Sequence, residues 1–108
     1  MLHEMRIYRA MPGKLPALHR RFEEYTVKIL EKHGIRPIGF WTTVIGESSQ
    51  DITWMIEWES LAEREEKWRA LSQDPEWIAI KEKTEADGAL IEFQRNMILA
   101  PTPYSPAR

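Results

Sequence analysis

The sequence contains no cysteine. That removes disulfides, thiolate nucleophiles and cysteine-ligated zinc together, and it fits a reducing compartment, so the expected location is the cytoplasm. No apolar run approaches the ~20 residues that span a bilayer, and Met1–Arg9 lacks the apolar stretch of a secretory signal. Charge of one sign is also missing. Fifteen Lys and Arg stand against 17 Asp and Glu, both scattered, for a formal net charge of -2. Without a basic block nothing can neutralise a run of phosphates, and nucleic acid is not an expected partner. His3, His19 and His33 have no ligand spacing such as i and i+4 on one helix, so no metal is expected. There is no phosphate loop, no dinucleotide glycine pattern and no serine nucleophile with an evident base. No cofactor is therefore expected either.

What is present fits one small domain of 108 residues, with a core over 1–100 and an extended proline-rich tail over 101–108. Five Trp in so short a chain suggest large side chains filling the interior or lining a pocket. Leu2 to Ala10 alternates, with His3, Met5 and Ile7 on one face and Glu4, Arg6 and Tyr8 on the other, the signature of a strand. Pro12-Gly13 breaks it. Leu15, Leu18, Phe22, Tyr25 and Ile29 then recur at three- and four-residue intervals, predicting an amphipathic helix that Gly34 ends, with Lys32 and His33 in its last turn.

Arg36 to Ile45 and Asp51 to Glu59 read as strands around a polar loop. In the second, Ile52, Trp54, Ile56 and Trp58 share a face. Ser60-Leu61-Ala62-Glu63 has the capping-box pattern that opens a short helix. Asp74-Pro75-Glu76 starts another, with Asp as N-cap and Pro at the first helical position. A last strand is expected over Leu90 to Leu99.

The order is strand, helix, strand, strand, a helix split in two, strand. This is the α+β, ferredoxin-like βαββαβ arrangement, a four-stranded antiparallel sheet with helices on one face. The other face, on which Arg6, Tyr8 and Glu57 are expected, has no helix of its own. That predicts a second copy of the chain packed there, enclosing a cavity.

Several segments together resemble the NIPSNAP family. They are Glu4-Met5-Arg6-Ile7-Tyr8 with Pro12-Gly13-Lys14, Lys32-His33-Gly34, Gly39-Phe40-Trp41-Thr42-Thr43 with Ile45-Gly46, and Trp58 through Arg64. Asp74-Pro75-Glu76-Trp77 and Asn96-Met97-Ile98-Leu99, with Pro101, Pro103, Ser105 and Pro106, complete the match over nearly the whole chain. The resemblance implies a dimeric α/β barrel, two ferredoxin-like sheets face to face around a central space, and implies no known reaction. Ser48-Ser49-Gln50-Asp51 departs from the family's more apolar run at this hairpin.

The candidate pocket is built on Arg6 and Tyr8, since an Arg can clamp a carboxylate bidentately and a Tyr can donate or orient. Glu57, Gln94, Asn96, Trp41 and Thr43 are the further candidates. The bland alternative is a structural Arg6–Glu57 pair. Three functions compete: a homodimer binding a small molecule on the inner sheet face, a cofactor-independent monooxygenase like other dimeric barrels, and a non-enzymatic interaction module.

Overall fold

The computed structural model describes residues 1–107. In chain order the elements are β1 (Leu2–Ala10), α1 (Leu15–Arg21), a π-helical turn (Phe22–Thr26), α2 (Val27–Lys32), β2 (Arg36–Thr42), β3 (Asp51–Trp58), α3 (Leu61–Gln73), α4 (Pro75–Thr84) and β4 (Ile91–Leu99). The strands form one antiparallel sheet in the order β2-β3-β1-β4. This is the ferredoxin-like α+β arrangement, with helices on one face.

The helix ends follow from the residues that stand there. Ser60 Oγ accepts from the Glu63 N–H at 3.1 Å, and the Glu63 carboxylate reaches back to the Glu59 N–H at 2.7 Å, so the capping box closes one residue beyond the cap. Asp74 caps α4 by accepting from the Glu76 N–H at 2.9 Å, with Pro75 in the first turn where its missing donor costs nothing. Gly34, at φ 66°, lets the chain leave α2 for β2. No helix among the described residues is long and apolar enough to cross a membrane.

The register corrects one expectation. Arg6 stands opposite Trp54, Tyr8 opposite Ile52 and Glu4 opposite Ile56. Residues paired across strands point to the same face. Glu4, Arg6 and Tyr8 therefore join the Ile52, Trp54, Ile56 and Trp58 row under the helices, where all seven are buried. His3, Met5 and Ile7 take the open face, and Glu57, opposite His3, goes with them. Alternation sorts residues into two rows within a strand, but only register says which rows of neighbouring strands coincide.

Two smaller differences concern lengths. β2 stops at Thr42 rather than Ile45, because its ladder to β3 runs out at the Thr42–Ile52 pair; Val44 and Ile45 project 92% and 95% exposed. The tail is not extended throughout, since the Ser105 N–H donates to the Thr102 carbonyl at 3.1 Å and closes a turn.

Between sheet and helices sits an aromatic core. Phe40 stacks on Trp54 at 5.5 Å between centroids, while Tyr8 and Phe22 meet Trp54 edge-on at 5.9 and 5.7 Å. Such pairs add about 0.5–1.5 kcal/mol each beyond the area they bury.

Candidate functional site

A carboxylate stands at the centre of the buried sheet face. Glu4, fully buried, accepts five hydrogen bonds: from Trp58 Nε1 at 3.0 Å and Arg64 Nε at 2.8 Å on Oε1, and from Arg6 Nη1 at 2.8 Å, Arg64 Nη2 at 3.1 Å and Asn96 Nδ2 at 2.9 Å on Oε2. Burial pushes its pKa up, but the bonds from Arg64, Asn96 and Trp58 and the charge on Arg6 outweigh that and bring it from 4.5 down to about 2. The carboxylate is thus ionised and saturated. It ties β1 to β3, β4 and α3, a structural duty that leaves it no lone pair to spare for chemistry.

Arg6 is held differently. Its Nε donates to Tyr8 Oη at 3.0 Å and its Nη1 to Glu4, while its Cζ lies 4.3 Å from the Trp68 ring centroid. Two of the five guanidinium N–H groups are engaged. The remaining three, both on Nη2 among them, have no acceptor among the described residues, although Arg6 as a whole is only 4% exposed. Burial raises the Tyr8 pKa against the opposing influence of Arg6 and of the nearby Trp54 N–H, so the phenol keeps its proton. Trp54 Nε1 is the one buried side-chain polar atom among the described residues that makes no hydrogen bond.

These groups border a cavity of about 200 Å³ between the sheet and its own helices. Arg6, Tyr8, Trp54, Ile91 and Gln94 form its floor; Arg21, Phe22, Thr26, Ile29 and Leu30 one wall; Trp68, Leu71, Ser72, Trp77 and Lys81 the other. Five of these residues are aromatic, three are cationic, and none is a carboxylate. Arg21 is paired with Glu85 at 2.9 Å, whereas Lys81, at the exposed rim, forms no ion pair with any described residue.

The π-helical turn explains how one helix presents so continuous a wall. Leu18, Phe22, Thr26 and Leu30 are all buried at strict four-residue spacing. On an α-helix each such step drifts by ~40°, or ~120° over the series, which would carry Leu30 off the face. The Phe22–Thr26 turn, closed by the Val27 N–H on the Phe22 carbonyl, takes up the extra residue and cancels the drift. Tyr25, expected on the core stripe, is only half-buried for the same reason, and Thr26 takes its place.

Of the residues expected to form the pocket, Arg6, Tyr8 and Gln94 do meet at this cavity. Asn96, opposite Arg6 on β4, instead serves Glu4. Trp41, opposite Thr53, belongs to the open-face row and folds over Gly39, where an added Cβ would fall 2.9 Å from its ring. With Thr42 it borders a second cavity of about 200 Å³ at the β2 edge, beside His19, Phe22, Phe40 and Ile52. Thr43 lies beyond β2 in the loop. Glu57 is on the other side of the sheet, so the Arg6–Glu57 pair does not form; Glu4, two residues from Arg6, takes that part.

The profile of the family described as NIPSNAP matches residues 3–106. The chain belongs to the NIPSNAP family. A NIPSNAP family protein from Agrobacterium tumefaciens superposes with a TM-score of 0.87 at 33% identity, over 99% of this chain and 98% of that one. An uncharacterised NIPSNAP domain protein from Burkholderia xenovorans gives 0.84 at 25% identity, over 98% and 99%. A structure described as an antibiotic biosynthesis monooxygenase gives 0.62 at 11% identity, over 95% and 100%, a likeness of fold alone. A search of curated proteins finds no significant match.

In this NIPSNAP chain the residues that sequence reasoning missed are Glu4, Arg64 and the cavity's Trp54, Trp68 and Trp77. Their rows were legible: Trp54 and Trp58 were already on one face, and Arg64 and Trp68 are one helical turn apart. The missing step was the β1–β3 register that sets Arg6 against Trp54. Asp74 and Trp77, prominent in the family resemblance, divide their labour. Asp74 caps α4 and bonds Lys32 at 2.8 Å and His33 at 2.7 Å, while Trp77 lines the cavity under Arg21 at 5.8 Å.

Proposed function

We propose that this NIPSNAP protein is a small-molecule binding protein whose site is the cavity between the sheet and its own helices, one per subunit of a homodimer. The observation that carries the reading is Arg6, 4% exposed, with three N–H groups unmatched at a partly apolar cavity. An Nη2 that opens onto a cavity and has no acceptor among the described residues is available to a bound anion, and a charge-assisted hydrogen bond there is about twice as strong as a neutral one. A bound molecule that accepts from Arg6 takes the place of water at that nitrogen. At about 200 Å³ the space is larger than the ~150 Å³ apolar cavity that takes benzene and smaller than pockets for drug-sized ligands. A one-ring compound is the size that fits.

The dimer is supported by the open sheet face, where Trp41, Phe93, Met97 and Leu99 are 48%, 41%, 52% and 39% exposed. Apolar side chains gathered on one side of a sheet favour a partner over water. A second copy is the occupant that the family resemblance offers. The cysteine-free sequence fits a reducing cytoplasm. The monooxygenase alternative has only the shared fold behind it, and no residue here adds to it.

A fragment screen read by thermal shift tests the site. A one-ring fragment at ten times its Kd should stabilise the protein by about 1.4 kcal/mol, which raises the melting temperature by ~6 °C in a domain of this size. Thr26→Phe, which places a ring in the cavity wall, should abolish the shift. If no fragment gives a shift that Thr26→Phe removes, the cavity is not a binding site.

A further inference from the structure

We infer that the ligand of the Arg6 cavity is a small, flat organic monoanion, a one-ring aromatic or conjugated carboxylate, held by the free N–H groups of Arg6 with its ring among the cavity's aromatic side chains. The inference rests on the binding role proposed above and adds the chemistry of what is bound.

Charge comes first. Arg6 and Arg64 share the single carboxylate of Glu4, so the buried cluster keeps one net positive charge. Arg21 is neutralised by Glu85, and Lys81 at the rim adds a second unmatched cation. Among the described residues no carboxylate lines the space to repel an anion. One buried positive charge matches one negative charge. A dianion such as a phosphate monoester would bring a second charge into a low-dielectric site with no buried partner, and burying an unpaired charge is strongly opposed.

Geometry then narrows the shape. The Arg6 Cζ lies over the Trp68 ring, 4.3 Å from its centroid, and the N–H edge of the group is left for the ligand. That edge suits the two coplanar oxygens of a carboxylate better than a single carbonyl. Glu4 fixes one end of the plane through Nη1 and Tyr8 fixes the other through Nε, so the free Nη2 is presented without rotational freedom. Beyond the guanidinium the walls are Phe22, Trp68 and Trp77, rings against which a flat apolar body packs with little loss of contact. The Tyr8 hydroxyl, which accepts from Arg6 and stays protonated, is a further donor beside the same corner.

Benzoate and its neutral isostere benzamide separate the outcomes, with binding read by tryptophan fluorescence and by saturation-transfer NMR on the intact protein. Benzoate should bind at least about tenfold more tightly than benzamide, and phenyl phosphate no better than benzamide. Arg6→Met should bring the benzoate-to-benzamide ratio to about one. Should that variant fail to fold, Lys81→Glu on the exposed rim should lower the ratio severalfold without unfolding the protein. Equal binding of benzoate and benzamide overturns the charge assignment while leaving a binding cavity in place. Tighter binding of phenyl phosphate than of benzoate overturns the monoanion. If neither benzoate nor benzamide binds the folded wild type, and Thr26→Phe removes no other fragment's shift, the cavity reading falls along with this one.

Discussion

Replacing Glu4 with Gln removes one charge and almost no volume from the most heavily bonded side chain among the described residues. Five donors converge on its two oxygens, two of them from Arg64 and one from Arg6. A Gln amide offers one oxygen and turns its NH2 toward donors that cannot receive it, so two or three of those bonds are lost and two guanidinium groups are left without their anion. Removing one partner of a buried pair costs about 3–5 kcal/mol, set against a total of roughly 5–15 kcal/mol for a domain of this kind. At ~4 °C per kcal/mol the melting temperature should fall by ~12–20 °C at pH 7. The assay is a near-UV circular dichroism melt at fixed protein concentration, which reports the packing of Trp54, Trp58 and Trp68 directly.

Acid supplies the sign. Glu4 has a folded pKa of about 2, below its ordinary 4.5, so its stabilisation is complete above pH 4.5 and is lost as the pH falls from 4.5 toward 2. That shift corresponds to about 3 kcal/mol, in line with the cost of the substitution at neutral pH. Wild type and variant should therefore differ most above pH 4.5 and converge toward pH 2. Glu65→Gln is the control: its 3.7 Å pair with Arg69 is solvent-exposed and should be worth less than ~0.5 kcal/mol. A fall of under ~4 °C for Glu4→Gln, or a difference that persists unchanged to pH 2, would refute the view that this carboxylate holds the sheet to α3.

Two other changes bear on the helix wall and on the open face. Deleting the exposed Glu24 converts the Phe22–Thr26 turn to regular α-helix while still allowing Leu18, Phe22 and the residues after them to share a face. The variant should melt within about 4 °C of wild type, yet lose the fragment-induced thermal shift because the wall moves; a cooperative loss of structure would mean that the π turn is needed for packing itself. Met97→Glu puts a charge among the apolar side chains of the open sheet face, and sedimentation should show the proposed dimer weakened to monomer at micromolar protein. A wild type that sediments as a monomer would remove the dimer.

What the sequence determined by itself was the local structure. Strand alternation over Leu2–Ala10, the capping residues Ser60 and Asp74 and the stop at Gly34 set the order of elements, because those signals act within a few residues of chain. The order in turn restricts a small α+β chain to very few sheet topologies. The family was legible as well, through motifs spread from Glu4 to Pro106.

Only the tertiary structure decided on which side of the sheet the Glu4, Arg6 and Tyr8 row lies. Glu4-Met5-Arg6-Ile7-Tyr8 reads as a strand with a polar row, and a polar row is ordinarily assigned to water or to an interface. Here the row faces inward, because Arg6 pairs with Trp54 across the sheet and because Arg64, Trp58 and Asn96 arrive from elsewhere in the chain to satisfy Glu4. Burial of that carboxylate is favourable only once all these partners are assembled. Their convergence depends on register and on the packing of α3, which are long-range and leave no mark at the spacing of neighbouring residues. Absent cysteine excluded disulfides and thiolate chemistry. The cavity that remained, with Arg6 half-engaged among tryptophans, exists only in three dimensions.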